Sequence, residues 1–347
     1  MKKKILILIG IFIFFGIVFI SNQNLKYKTP LTDVIQKASE SSILQPSPYE
    51  EITIPYLRKK EYKSKLGELK EVAQHPNYTS HLTSYISDRL KINGLLTKPT
   101  GPIPEGGFPA IVFVHGYIAP TTYITLEKYE DYVDYLAQNG FVVFKIDLRG
   151  HGDSEGEPGG GYFGADYVTD TLNAHSALET SGFVNKKNIG LWGHSMAGNT
   201  VMRSMAVKPT IPAVVGWAGA VYTYTDQREY EINDQSYRPA QARTGTRNNR
   251  QEMFNTVGSP SAESAFWKSV APTSFLNDIK GAIQIHHAKD DTVVDIRYSR
   301  NLMSYLDKTS IPHELFEYDY GGHNIIDSSF SIAMQRTVEF YKKYLNN

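Results

Sequence analysis

The stretch "GLWGHSMAGNTVMRS", Gly190 to Ser204, sets a serine between two unlike patterns. Before it lies a short apolar run, Ile189 to Trp192; after it comes a helix-like run, Ala197 to Ala206. A strand, a tight turn of small residues and a helix form the context of a nucleophile elbow, a sharp turn that exposes a serine hydroxyl. Gly193 and Ala197 stand two residues either side of Ser195, so the pattern G-x-S-x-G is met except at its last position. The same five residues also fit a plain polar turn, so the rest of the chain decides between the two readings.

Outward from this stretch the chain alternates. Short apolar runs at Ala110–Val114, Phe141–Ile146, Ala213–Trp217, Ile283–Ile285 and Glu314–Tyr318 read as strands. Leu126–Gln138, Ala165–Ser181, Tyr298–Leu306 and Ser328–Tyr344 read as helices. Unbroken apolar strands separated by helices imply a mostly parallel sheet covered on both faces. Upstream, "SYISDRLKINGLLTKP" alternates about a turn at Ser87–Arg89 and reads as a hairpin. Tyr222 to about Val270 breaks the alternation; it is polar and rich in Tyr, Arg and Asn, and reads as an inserted cap or lid.

Composition narrows the chemistry. Over 347 residues, 36 basic and 36 acidic side chains cancel, and no basic stripe with interleaved aromatics suggests a nucleic-acid partner. The absence of cysteine excludes disulfides, thiolate catalysis and zinc–thiolate sites. Gly159 to Gly164 matches G-x-G-x-x-G, but "SEGEPG" before it is a loop, whereas a dinucleotide site needs a strand there. No P-loop pattern is present, and no cofactor or metal is expected.

A serine nucleophile needs a base, a group that orients the base, and donors for the developing oxyanion. In open α/β sheets these gather at the C-terminal ends of strands. His323, in "YDYGGHNIID", follows the last apolar strand and is the candidate base, though it also fits a surface loop histidine. His286 and His287 fall within or at the end of a strand and read as structural; His115 and His194 flank loops and read as packing or hydrogen-bonding residues. "IQIHHAKDDTVVD" offers Asp290, Asp291 and Asp295 as orienting acids, and equally a solvated charge cluster. Met196, after the serine and at a helix N-terminus, supplies one candidate oxyanion N–H. Tyr117, after Gly116 in "IVFVHGYIAP", supplies the other, through its N–H or alternatively its hydroxyl.

The order Ser195, aspartate, His323 is the order of the α/β-hydrolases. "VHGY", "DLRGHGDSEG", "GHSMAG", "HAKDDTVV" and "GGH" follow one another as in that superfamily, from about Tyr85 to Leu345. Within it, "SDRLKINGLLTKP", "GFPAIVFVHG" and "DDTVV" resemble the catalytic domain of the prolyl oligopeptidase (S9) serine peptidases and the dienelactone-hydrolase-like esterases. The resemblance implies an α/β-hydrolase fold, a Ser195–Asp291–His323 triad and hydrolysis of esters or peptides through an acyl-enzyme; it is what selects Asp291 from the three aspartates. Two features depart from it. Ala197 replaces the second glycine of the elbow, and only about eighty residues precede the fold, where oligopeptidases of this kind carry a β-propeller. The second departure leaves a carboxylesterase or thioesterase of small or polar esters as the alternative, because a long-chain lipase would need a more apolar lid. A hydrolase-like fold used only for binding is a further alternative.

The N-terminus adds an expectation of place. Lys2, Lys3 and Lys4 precede an apolar run from Ile5 to Ile20 with no polar face, the pattern of an export signal. As a helix the run would span about 24 Å at ~1.5 Å per residue, slightly short of a hydrocarbon core of about 30 Å. No small-residue cleavage site follows, which favours an uncleaved anchor with the remainder outside the cytoplasm over a cleaved signal peptide. The expected organisation is a signal anchor at 1–21, a tether and lead-in at 22–80, and the hydrolase domain at 81–347 with its lid at about 222–270. The expected partners are a small ester or peptide substrate and, through the anchor, the membrane.

Overall fold

Each apolar run forms a strand of one sheet, and the computed structural model describes residues 47–159, 161–233 and 244–345 of the chain. In chain order the strands are β1 (Lys70–Gln74), β2 (Tyr78–Ser87), β3 (Leu90–Pro99), β4 (Phe108–Val114), β5 (Val142–Ile146), β6 (Val184–His194), β7 (Ala213–Trp217), β8 (Ala282–Ala288) and β9 (His313–Tyr318). They pair in the order β1-β2-β3-β5-β4-β6-β7-β8-β9. The pairs β1–β2, β2–β3 and β3–β5 are antiparallel, and every pair from β5–β4 through β8–β9 is parallel. The hairpin turn falls at Asp88 and Arg89, both left-handed (φ 49° and 70°), the geometry of a two-residue turn matched to strand twist.

The helices are α1 (Ile54–Lys59), α2 (Glu130–Gln138), α3 (Asp166–Glu179), α4 (Met196–Val207), α5 (Thr244–Val257), α6 (Ala265–Val270), α7 (Arg297–Leu306) and α8 (Ser328–Leu345). The continuous apolar strands are explained by two cores, one on each face. In β4, Ala110, Val112 and Val114 enter one core while Ile111 and Phe113 enter the other. In β6, Leu191 and Trp192 divide in the same way. Burying both faces removes the polar alternation of a one-sided sheet.

Two boundaries differ from the sequence reading. The compact unit begins at Pro48, not near residue 81. Ile52, Ile54 and Leu57 are buried in the main core, and Arg58 donates to the carbonyl of Ala206 from Nε (2.9 Å) and Nη2 (2.7 Å), which closes the last turn of α4. β1 then adds an outer strand to the sheet, so most of the expected lead-in belongs to the fold. The inserted segment also starts later than expected: Tyr222 and Tyr224 are fully buried beneath α4. Its described parts carry α5 and α6, which pack through Met253, Trp267 and Val270. The expected anchor at 1–21 and the tether as far as residue 46 lie outside the described residues. Among the described residues no helix is long and apolar enough to cross a membrane.

Candidate active site

Ser195 joins β6 to α4 with φ 54° and ψ −120°, a conformation costly for a residue with a side chain. The surroundings enforce it. Ser195 N–H donates to Trp217 O of β7 (2.8 Å), and Gly198 N–H donates to Ser195 O (2.9 Å). A Cβ at Gly193 would lie 2.6 Å from Ala197 O, so only glycine lets the helix turn back so tightly over the strand. Ala197 itself is fully buried, and its methyl is accommodated where the usual pattern has glycine.

A cavity of about 920 Å³ opens over this elbow. Ser195, His194, His323, Tyr117, Tyr129 and Thr292 are among its lining residues, so the serine and the histidine of the sequence reading meet in one space. Ile232 and Asn233 of the inserted segment line it too, which gives the expected lid a wall of the site. Met196 opens α4, where the first N–H groups have no partner within the helix. Its side chain is buried.

Asp291 is the aspartate that meets His323: Nδ1 of the imidazole lies 2.8 Å from Oδ2. The other two have different work. Asp290 accepts from the N–H groups of Gly321 (3.3 Å) and Gly322 (2.8 Å), holding the turn ahead of His323, and Asp295 pairs with Arg297. The Asp291 side chain is inaccessible to solvent, while 17% of the His323 side chain remains exposed. Oδ1 of Asp291 accepts from Val293 N–H (2.8 Å) and Val294 N–H (3.0 Å). Burial alone would raise the Asp291 pKa, but hydrogen bonds from His287 and His323 hold its carboxyl well below the usual carboxylate range. It therefore stays charged, as a group that fixes an imidazole tautomer must.

His287 was legible in the sequence only as a structural strand residue, yet it touches this carboxylate. Its Nε2 lies 3.1 Å from Asp291 Oδ2 and 2.9 Å from Val294 O. Both partners are acceptors, so Nε2 carries the hydrogen; Nδ1 lies 2.7 Å from Ser299 Oγ. The signal was the four-residue spacing, short enough for the last inward side chain of a strand to meet a carboxylate in the following turn. His286 is structural as expected, held between Tyr318 Oη and Gln284 Oε1. The loop "DLRGHGDSEG" braces the site from behind. Asp147 accepts from Tyr123 Oη (2.8 Å) and Thr125 Oγ1 (2.7 Å), Arg149 forks onto Asp170 of α3, and His151 Nε2 lies 3.2 Å from Ile118 O. Buried His115 sits among them, its Nδ1 2.7 Å from Gly116 O. The segment Gly159 to Gly164 lies in the loop before α3, with no strand ahead of it; Gly160 is outside the described residues.

Ser195, Asp291 and His323 follow in that order along the parallel half of the sheet, with the serine on a strained strand-to-helix turn. The fold is that of an α/β-hydrolase. A sequence profile of the family described as "Serine aminopeptidase, S33" matches residues 108–237. The chain is 22% identical over 244 residues to the uncharacterized peptidase YtmA of Bacillus subtilis (strain 168), covering 69% of this chain and 84% of that one. Among solved structures it resembles Porphyromonas gingivalis dipeptidyl peptidase 4, with TM-score 0.58 and 20% identity, covering 78% of this chain and 36% of that one. It also resembles acetyl xylan esterase 1 from Thermoanaerobacterium sp. JW/SL YS485, with TM-score 0.58 and 18% identity, covering 91% of this chain and 100% of that one.

Proposed function

We propose that the hydrolase cleaves an ester or peptide (amide) bond, with Ser195 as nucleophile, His323 as general base and acid, and Asp291 as the acid that orients it. The Nδ1–Oδ2 bond between His323 and Asp291 carries this reading, because it leaves Nε2 as the ring nitrogen available for chemistry in the cavity that Ser195 shares. The serine oxygen bonds to the substrate carbonyl carbon while its proton passes to His323 Nε2. The tetrahedral oxyanion takes hydrogen bonds from the N–H groups of Met196 and Tyr117. Collapse expels the alcohol or amine, which leaves with the proton from His323. Water repeats the sequence on the acyl-enzyme and frees the acid and the serine.

For substrate class we favour an S9-like peptidase, supported by the peptidase names of the matching family and of the Bacillus relative. A carboxylesterase of small or polar esters is the second reading. It is supported by the likeness to acetyl xylan esterase 1, which aligns over 91% of this chain. Comparing kcat/KM on matched acyl esters and peptidyl amides, with Ser195→Ala as the control, separates the two. Amide turnover comparable to ester turnover supports the peptidase; ester turnover alone supports the esterase. We further propose that the lysines before the apolar run Ile5–Ile20 remain cytoplasmic and that the enzyme works outside the membrane. Recovery of the full chain in the soluble cytoplasmic fraction would refute that placement.

A further inference from the structure

We infer that Tyr129 and His194 are positioning residues that lock the loop carrying the oxyanion donor to the loop carrying the base. The inference rests on the proposed roles of Tyr117 and His323. Four groups form one continuous path. Gly116 N lies 3.0 Å from Tyr129 Oη, Tyr129 Oη lies 2.7 Å from His194 Nδ1, and His194 Nε2 lies 2.9 Å from His323 O.

The direction of every bond is fixed. The His323 carbonyl can only accept, so His194 donates to it from Nε2. Burial, and then the nearby His323 ring, pull the His194 pKa down to about 3, so the imidazole is neutral and Nδ1 has no hydrogen. Tyr129 must therefore donate to Nδ1, and burial keeps its phenol protonated by raising its pKa. A backbone N–H can only donate, so Gly116 gives its hydrogen to a lone pair of Tyr129 Oη. With His194 neutral, no member has an alternative role that keeps all three bonds.

Three further observations show that the path is built. A Cβ at Gly116 would come 3.0 Å from Tyr129 Oη and 3.1 Å from His194 Nδ1, so a larger residue would press on the junction itself. Tyr129 holds a left-handed backbone (φ 61°) at the start of α2. One turn later Tyr132 Oη donates to Asn324 O (2.6 Å), so the same helix reaches adjacent residues of the base loop, once directly and once through His194. The path thus sets the spacing between the oxyanion donor and the imidazole, which must serve the same tetrahedral intermediate.

The test uses the full chain and three variants, Tyr129→Phe, His194→Gln and His194→Leu, with kinetics on an acyl ester and reversible inhibition by a trifluoromethyl ketone. Tyr129→Phe should lower kcat roughly tenfold to a hundredfold, the scale of a small misplacement, with KM within about twofold. It should weaken ketone binding by a similar factor. His194→Gln keeps an N–H and an oxygen for the two neighbours and should recover most of what His194→Leu loses. Nitrogen-15 NMR of the unmodified protein gives a reading that needs no variant: His194 should carry its hydrogen on Nε2 and should not titrate between about pH 5 and 8, where free imidazole does. Unchanged kcat in Tyr129→Phe, equal losses in His194→Gln and His194→Leu, or a His194 that titrates in this range would each overturn the coupling. If Ser195→Ala kept its activity, the function reading would fail instead, and the NMR signature would still report on the path.

Discussion

The loop after β8 and the loop after β4 reach the cavity from the same edge of the sheet, and a buried aspartate is central to each. Asp291, within the first loop, receives four donors: the two imidazoles of His287 and His323 and two backbone N–H groups. Asp147, at the end of β5, receives two hydroxyls reached down from the second loop. The outcomes differ in sign. Asp291 is held well below the usual carboxylate range, whereas burial pushes Asp147 up to about 6 against the pull of Thr125 and Tyr123. Beside it burial pulls Lys145 down to about 8, and that lysine donates to the carbonyls of Thr125 and Lys128. The number of donors thus separates a carboxylate arranged to stay charged from one that serves as a fastening for a wall of the site.

That contrast predicts where replacement should hurt catalysis. Asp291→Asn should cut kcat by roughly 10⁴, because the wrong imidazole tautomer is then favoured. Asp147→Asn should cost far less, since an amide still accepts from one hydroxyl. Steady-state kinetics on both variants checks the order, and comparable losses would break the comparison. Lys145→Met leaves two part-buried carbonyls without their donor, at up to about 1–3 kcal/mol each. Urea unfolding should show that loss of stability, with the pocket wall, not the chemistry of Ser195, as its origin.

Smaller effects sharpen the contrast. His287→Leu removes one donor from Asp291 Oδ2, which leaves more negative charge for the imidazolium of His323. The acid limb of kcat/KM should move to higher pH, and His287→Gln, which keeps an N–H there, should largely restore it. For Asp147 the sign runs through proton binding. Between the ordinary aspartate value of about 4 and about 6, the folded protein binds a proton that the unfolded chain releases. This group alone makes stability fall as pH rises through that window. Asp147→Asn should flatten that part of the stability–pH curve, measured by thermal melts in matched buffers.

The same contrast marks what sequence reading could reach. The parallel strands were legible because burial on both faces leaves continuous apolar runs such as Ala110–Val114, and the hairpin because β2 and β3 alternate about Asp88–Arg89. The meeting of Ser195 and His323 in one cavity was legible because each follows such a run. β1 was not, since all five of its residues are exposed and it joins by backbone bonds alone, leaving no apolar pattern. The short α1 was hidden in a polar stretch, where only Ile52, Ile54 and Leu57 mark the contact. The choice among Asp290, Asp291 and Asp295 needed the resemblance, because a run of acids carries no direction; in three dimensions they face a backbone turn, an imidazole and an arginine. The partnership of His287 with Asp291 and the path through Tyr129 depend on side-chain direction at strand ends, which spacing only hints at.

The most direct test of the central claim is covalent labelling of the full chain with a fluorophosphonate, read by intact mass and peptide mapping. The account predicts a single adduct on Ser195, none in Ser195→Ala, and labelling slowed by several orders of magnitude in His323→Ala. An unlabelled protein, or an adduct on any other residue, would contradict it.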